Sequence, residues 1–87
     1  MSKSKKAILS RIETSVKMVQ LYSGKELTDR ISIELLSEIE NIWHYANEAF
    51  VRGYISKDLH EEYKAYVNHV YECIHDRRRE KCLAFIY

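Results

Sequence analysis

The sequence contains no proline and only two glycines among its 87 residues. Proline and glycine are the residues that most strongly disfavour a helix interior, so their scarcity favours a chain that is helical throughout. No apolar run approaches the roughly 20 residues of a membrane-spanning helix, and the run at residues 7–9 is too short for a signal peptide. We therefore expect an all-α protein of the cytoplasm that has no membrane partner.

Cysteine is also scarce, and the spacing of the two cysteines does not suit a disulfide. Cys73 and Cys82 are nine residues apart in a segment of helical periodicity. This spacing places them on opposite sides of a helix and roughly 13 Å apart along its axis, which is farther than a disulfide spans. We expect two reduced thiols, as in a cytoplasmic protein.

Signatures of catalysis and of metal or cofactor binding are lacking. No glycine-rich phosphate loop occurs, and neither cysteine has an evident activating partner. Glu72 and His75 have the Glu-x-x-His spacing of di-iron bundles, but the nearest second motif begins with Asn41 instead of an acid. His69 and Cys73 would supply two ligands, whereas a zinc site usually needs four. We therefore expect no enzyme activity, no metal and no cofactor.

Apolar residues recur at every third or fourth position in three segments, which is the pattern of amphipathic helices. The spacing predicts helix 1 over about residues 4–22, helix 2 over 32–52 and helix 3 over 56–84, all within a single domain of residues 1–87. The periodic residues are Ile8, Ile12, Ser15, Val16, Val19 and Tyr22 in helix 1, Ile31, Leu35, Ile39, Ile42, Ala46 and Phe50 in helix 2, and Leu59, Tyr63, Tyr66, Val70 and Ile74 in helix 3.

Serine, threonine and glycine mark the helix ends. Ser32 and Ser56 suit the N-cap positions of helices 2 and 3, where a hydroxyl can accept from an unsatisfied backbone N–H. Helix 2 has an alternative start near Glu26 with Thr28 as the cap, and the later start is slightly favoured. Gly53 suits the left-handed residue that ends helix 2. The short connection predicts that helices 2 and 3 form a long antiparallel hairpin, which dominates a three-helix bundle.

Two aromatic residues of helix 2 lie beside its apolar stripe. Trp43, the only tryptophan, follows the periodic Ile42, so a core position is favoured and the edge of an interface is the alternative. Tyr45 falls on the face opposite the stripe, which predicts that it is exposed.

The chain carries more apolar surface than a small bundle buries well. Helix 3 is apolar over a wide arc, and residues 82–87 form an apolar run. Because a domain of this length buries a modest share of its surface, association is a common way to stabilise it. We predict a homodimer, with residues 82–87 docked either on their own bundle or on a partner. The predicted partner or dimer interface consists of Trp43, Tyr63, Val67, Tyr71, Ile74, Leu83, Phe85, Ile86 and Tyr87.

Charges of opposite sign are separated along the chain, although the net charge is only +1. Residues 1–30 carry seven basic and three acidic residues, residues 31–76 carry three basic and nine acidic residues, and residues 77–87 carry four basic residues and one acidic residue. The basic ends either solvate the helix ends, contact the acidic body of another copy, or bind phosphates. The candidate nucleic-acid contacts are Lys3, Lys5, Lys6, Arg11, Arg77, Arg78, Arg79 and Lys81.

Together these features favour a small non-catalytic regulator, inhibitor or adaptor that binds an unidentified protein through helix faces. Acidic residues such as Glu38, Glu48, Glu61 and Glu62 would orient the partner. The alternative is a DNA- or RNA-binding regulator that uses the two basic ends.

Overall fold

Three α-helices make up the fold. The computed structural model describes residues 4–22 and 25–75, in which the elements are α1 (Lys5–Leu21), α2 (Asp29–Val51) and α3 (Lys57–His75). This part of the chain contains no strand. α2 packs against both α1 and α3. The predicted all-α class and the bundle of three helices are therefore confirmed, while the predicted continuation of helix 3 to residue 84 lies outside the described residues.

Two groups of buried apolar residues form the core, and α2 contributes to both. A fully buried valine, leucine or isoleucine side chain stabilises the fold by about 1.5–3 kcal/mol. The first group joins all three helices, and the second joins α1 to the later part of α2. The first consists of Val19, Leu35, Ile39, Ile42, Val67, Val70 and Ile74, and the second of Ile8, Ile12, Tyr45, Ala46 and Ala49.

A hydroxyl side chain caps the N-terminus of each helix. Ser4, Thr28 and Ser56 each accept a hydrogen bond from the backbone N–H three residues later, at 3.2, 3.2 and 3.1 Å. Each bond satisfies one of the backbone donors that a helix start leaves without an intrahelical partner. The predicted cap Ser56 of the third helix is therefore confirmed.

The start of α2 corrects the favoured prediction. α2 begins at Asp29 with Thr28 as its cap, so the predicted cap Ser32 lies inside the helix. The buried Ser32 hydroxyl donates to the Thr28 carbonyl at 2.9 Å. The earlier start prevails because Thr28 offers the same capping chemistry as Ser32, Asp29 adds a negative charge at the positive end of the helix dipole, and the helix gains hydrogen-bonded residues.

Gly53 ends α2, as the sequence predicts. Its φ of 77° lies in the left-handed region that residues with a Cβ rarely adopt. The Gly53 N–H donates to the Phe50 carbonyl at 3.0 Å, and the Tyr54 N–H donates to the Ala49 carbonyl at 2.8 Å. This is the Schellman pattern of helix termination. Tyr54 also packs against the second core group, which ties the turn to the core.

Two aromatic residues of α2 are placed differently from prediction. Tyr45, expected on the exposed face, is only 8% exposed because α1 covers that side of α2. The Arg11 guanidinium lies 5.5 Å from the centre of the Tyr45 ring, within the range of a cation–π contact. Trp43, for which a core position was favoured, is 42% exposed because it lies at the edge of the buried arc.

Candidate functional site

An apolar groove lies between α2 and α3. We call it the α2–α3 groove, and it has a volume of about 570 Å³. It is open to solvent along the surface of the bundle. Its lining consists of Leu36, Ile39, Glu40 and Trp43 from α2 and Val67, Asn68 and Tyr71 from α3.

The groove combines a buried floor with exposed aromatic walls. Ile39 and Val67 are buried members of the first core group, so the floor is fixed by the packing of the bundle. Trp43 and Tyr71 are 42% and 47% exposed, one on each helix. Aromatic side chains of this kind combine a large apolar surface with a polar tip and are enriched at protein interfaces. The groove can therefore receive apolar side chains without rearrangement of the core.

Helical spacing explains why these residues meet. Leu36, Glu40 and Trp43 are separated by four and three positions, which places them on one side of α2. Val67 and Tyr71 are four positions apart on α3. Each helix therefore brings a continuous strip to the groove beside the residues that it buries.

Glu40 gives the groove a negative charge. It is exposed, and none of the ion pairs within residues 4–22 and 25–75 includes it. By contrast, Glu48 pairs with Arg52 at 3.1 Å and Glu61 pairs with Lys64 at 3.2 Å. Of the acidic residues in the two helices, Glu40 is the one that lines the groove.

A smaller opening of about 350 Å³ lies between α1 and α3. Its lining includes Val16 from α1, with Glu62 and Tyr63 from α3. Burial raises the pKa of the Tyr63 hydroxyl, and the negative charges of Glu13 and Glu62 raise it further. Because Tyr63 packs against both core groups, this opening lies where the two core groups meet.

The structure brings together three of the predicted interface residues and separates others. Trp43, Val67 and Tyr71 meet in the α2–α3 groove. Tyr63 lines the smaller opening, and Ile74 is buried in the first core group. The predicted interface residues Leu83, Phe85, Ile86 and Tyr87 lie outside the described residues.

Sequence reasoning did not assign Leu36, Glu40 and Asn68 to the site. A signal was available for the first two, since they lie seven and three positions before Trp43 on α2. Asn68 follows Val67 directly, and no pattern distinguishes it from other exposed polar residues of α3.

The candidate nucleic-acid contacts are only partly described. Lys5 and Lys6 are exposed in the first turn of α1. Arg11 is exposed one to two turns later, with its guanidinium against the Tyr45 ring. Lys3, Arg77, Arg78, Arg79 and Lys81 lie outside the described residues.

Within residues 4–22 and 25–75, no group of three or more His, Cys, Asp or Glu side chains is arranged to hold a metal ion. None of the helices described here has the length and apolar character needed to cross a bilayer. The chain matches no protein-family model, no curated protein and no solved structure.

Proposed function

We propose that this protein is a small non-catalytic binding module, acting as a regulator, inhibitor or adaptor, and that it binds an apolar segment of a partner protein in the α2–α3 groove. The observation that carries the proposal is the exposure of Trp43 and Tyr71 above a buried floor. Trp and Tyr are among the residue types that contribute most to binding energy at interfaces. Recognition in a groove between helices is a recurrent mode of peptide binding.

The proposal includes an antiparallel arrangement of α2 and α3, which would give the groove two long walls. It is supported by contacts between the end of α2 and the start of α3. The His60 ring stacks on Phe50, and His60 Nε2 lies 2.7 Å from Asn47 Oδ1. Earlier residues of α2, such as Trp43, line the groove with later residues of α3, such as Tyr71. The end of α2 thus contacts the start of α3, and earlier residues of α2 lie beside later residues of α3, as in an antiparallel pair of helices.

The proposal also includes association of two copies. It is supported by the exposed apolar walls of the groove and by the separation of charge between the basic ends and the acidic body of the chain. Glu40 is the acidic residue best placed to orient a partner, because it lines the groove. A charge at the rim of an interface mainly affects the association rate and its dependence on salt.

A capture experiment with matched variants tests this function. Immobilised full-length protein is incubated with host-cell lysate that also contains a labelled second copy of the chain, and the bound proteins are quantified. Tyr71→Lys places a charge on the wall of the groove, and Val51→Lys places the same charge on an apolar position of α2 that is 83% exposed and does not line the groove. Val51 is the last residue of α2, where the helix dipole favours lysine, and Tyr71 is 47% exposed, so that a lysine there can reach solvent.

We expect the wild type to capture a protein, either the second copy or another chain. Val51→Lys should capture the same protein, whereas Tyr71→Lys should bind it at least about tenfold more weakly, which corresponds to about 1.4 kcal/mol. Far-UV circular dichroism establishes that both variants are folded. If Tyr71→Lys leaves every bound protein unchanged, the groove is not a binding site and the proposed function is wrong.

DNA or RNA binding is not the function that the geometry supports best. Among the described candidate contacts, Lys5 and Lys6 lie in the first turn of α1, and the Arg11 guanidinium is engaged with Tyr45. Neither the α2–α3 groove nor the smaller opening is lined by any of these three residues.

A further inference from the structure

We propose that the α2–α3 groove is occupied by residues 82–87 of a second copy, so that two copies exchange their C-terminal segments. This inference rests on the proposed function, because it names the occupant of the same groove. It is carried by the position of His75 beside the groove, by the length and composition of the chain that follows, and by the charge of the groove.

The last described residue of α3 lies at the end of the groove. His75 is one turn beyond Tyr71, and the two rings are in edge-to-face contact with centroids 4.3 Å apart. Twelve residues follow His75, and an extended chain of this length spans up to about 40 Å. The groove wall from Leu36 to Trp43 is only about 10 Å long at the rise of an α-helix. The segment is therefore long enough to reach the groove of a neighbouring molecule and to fill it.

The composition of residues 82–87 matches the groove. This segment reads Cys-Leu-Ala-Phe-Ile-Tyr and contains no charged side chain. Burial of Leu83, Phe85 and Ile86 would each contribute about 1.5–3 kcal/mol. Phe85 and Tyr87 can each bury about 150–250 Å². Two such segments, together with the two grooves that receive them, are of the size needed for the roughly 1,200–2,000 Å² of a stable interface.

The charges flanking the segment complement the groove. Arg77, Arg78, Arg79 and Lys81 immediately precede the apolar residues. Glu40 lines the groove and forms none of the ion pairs among the described residues. A segment seated in the groove would bring its preceding cations close to this carboxylate, which favours the correct orientation of the segment.

The buried area favours a second copy over the segment's own groove. Exchange between two copies buries two segments and two grooves in one interface, which reaches the area that a stable dimer needs, whereas a segment in its own groove buries one of each. Because each copy supplies one segment and one groove, the exchange closes into a two-fold symmetric dimer.

Mixing two variants tests the exchange directly. Phe85→Lys impairs the segment and Tyr71→Lys impairs the groove, and each full-length variant is studied by sedimentation equilibrium beside the wild type and Val51→Lys. We expect a wild-type dimer, an unchanged Val51→Lys dimer, and a dissociation constant raised at least tenfold in each of the other two variants. An equimolar mixture of the two impaired variants should dimerise more tightly than either alone, because the mixed dimer pairs one intact segment with one intact groove.

A further variant tests the groove without disturbing the core, so that a weaker dimer cannot be attributed to unfolding. Glu40→Lys alters an exposed residue of the groove and leaves the core intact. It should weaken the dimer and reduce the dependence of dimerisation on salt concentration.

Two results would overturn the inference without affecting the capture experiment. One is a wild-type protein that is monomeric at high micromolar concentration. In that case, an increase in acrylamide quenching of Trp43 in Phe85→Lys would place the segment in its own groove. The other is a dimer that neither Phe85→Lys nor Tyr71→Lys weakens. In both cases the proposed function still depends on whether Tyr71→Lys abolishes the capture of a partner.

Discussion

The imidazole ring of His60 stacks on the phenyl ring of Phe50, with centroids 4.3 Å apart and an interplanar angle of 6°. The same imidazole lies 2.7 Å from the Asn47 side-chain oxygen. The end of α2 and the start of α3 are therefore joined by side chains as well as by the turn at Gly53. Since the two helices form the walls of the groove, this contact helps to fix their relative position.

Replacement of His60 should destabilise the fold. His60→Ala removes both the ring stack and the hydrogen bond, and we expect a loss of about 1–2 kcal/mol in the free energy of unfolding. His60→Phe retains the stack and removes the hydrogen bond, so its loss should be smaller. Urea denaturation followed by circular dichroism measures both. Equal losses for the two variants would show that the stack contributes nothing.

Replacement of Gly53 tests the left-handed turn. An L-residue with a Cβ at φ near 77° is strained, although no heavy atom beyond Gly53 and its two chain neighbours lies within 4 Å of the position that a Cβ would occupy. Gly53→Ala should therefore lower the free energy of unfolding by about 1–2 kcal/mol through backbone strain alone. Gly53→Asn should lower it less, because asparagine tolerates this conformation. The comparison is again made by urea denaturation, and an alanine variant as stable as the wild type would contradict the turn.

Two substitutions at the start of α2 distinguish Thr28 from Ser32 as the cap of the helix. Thr28→Ala removes the cap and should lower the free energy of unfolding by about 1 kcal/mol. Ser32→Ala removes a hydroxyl inside the helix, and the higher helix propensity of alanine offsets part of the loss, so that the net change should be below about 0.5 kcal/mol. If thermal or urea unfolding shows the reverse order, the helix begins at the later serine.

The Tyr22 hydroxyl donates to the Glu34 carboxylate, and this hydrogen bond is the main cause that raises the pKa of Tyr22 above its ordinary value of 10.0. Burial and the negative charges of Glu34 and Glu38 raise this pKa further. Because the raised pKa belongs to the folded state, the associated stability is complete below pH 10 and is lost as the pH rises through the folded-state pKa.

Unfolding measured between pH 8 and about pH 11 tests this linkage. The wild type should lose stability at the alkaline end, and Tyr22→Phe should remove part of that loss. Glu34→Gln should have a similar effect, since it removes the acceptor charge. The remaining alkaline loss includes Tyr63, whose pKa is also raised, mainly by burial. An unchanged alkaline slope in Tyr22→Phe would show that the hydrogen bond does not form in solution.

Periodicity alone predicted most of the core. Ile8, Ile12 and Val19 are buried where the stripe of helix 1 predicts, because a stripe of apolar residues has to face its neighbours. Periodicity does not reveal which side of a stripe a third helix covers. Tyr45 is buried and Trp43 exposed for this reason, since α1 covers one edge of the buried arc of α2 and leaves the other open.

The site was predicted less completely than the core. Trp43, Val67 and Tyr71 were recognised from their aromatic or apolar character, but the groove itself depends on how far apart two helices lie, which the spacing of residues along one helix does not encode. The prediction of Ser32 as the cap, in place of Thr28, was wrong for a different reason. Both residues carry the same capping group, and the start that forms more helix is the more stable.

Acrylamide quenching of Trp43, measured over a range of protein concentrations, tests the central claim most directly. Trp43 is the only tryptophan, it lines the α2–α3 groove, and it is 42% exposed in the single chain. If a second copy fills the groove, the quenching constant falls as the concentration passes through the dimer dissociation constant, and Tyr71→Lys shifts this fall to higher concentration. A quenching constant that stays the same from nanomolar to high micromolar concentration would contradict the account.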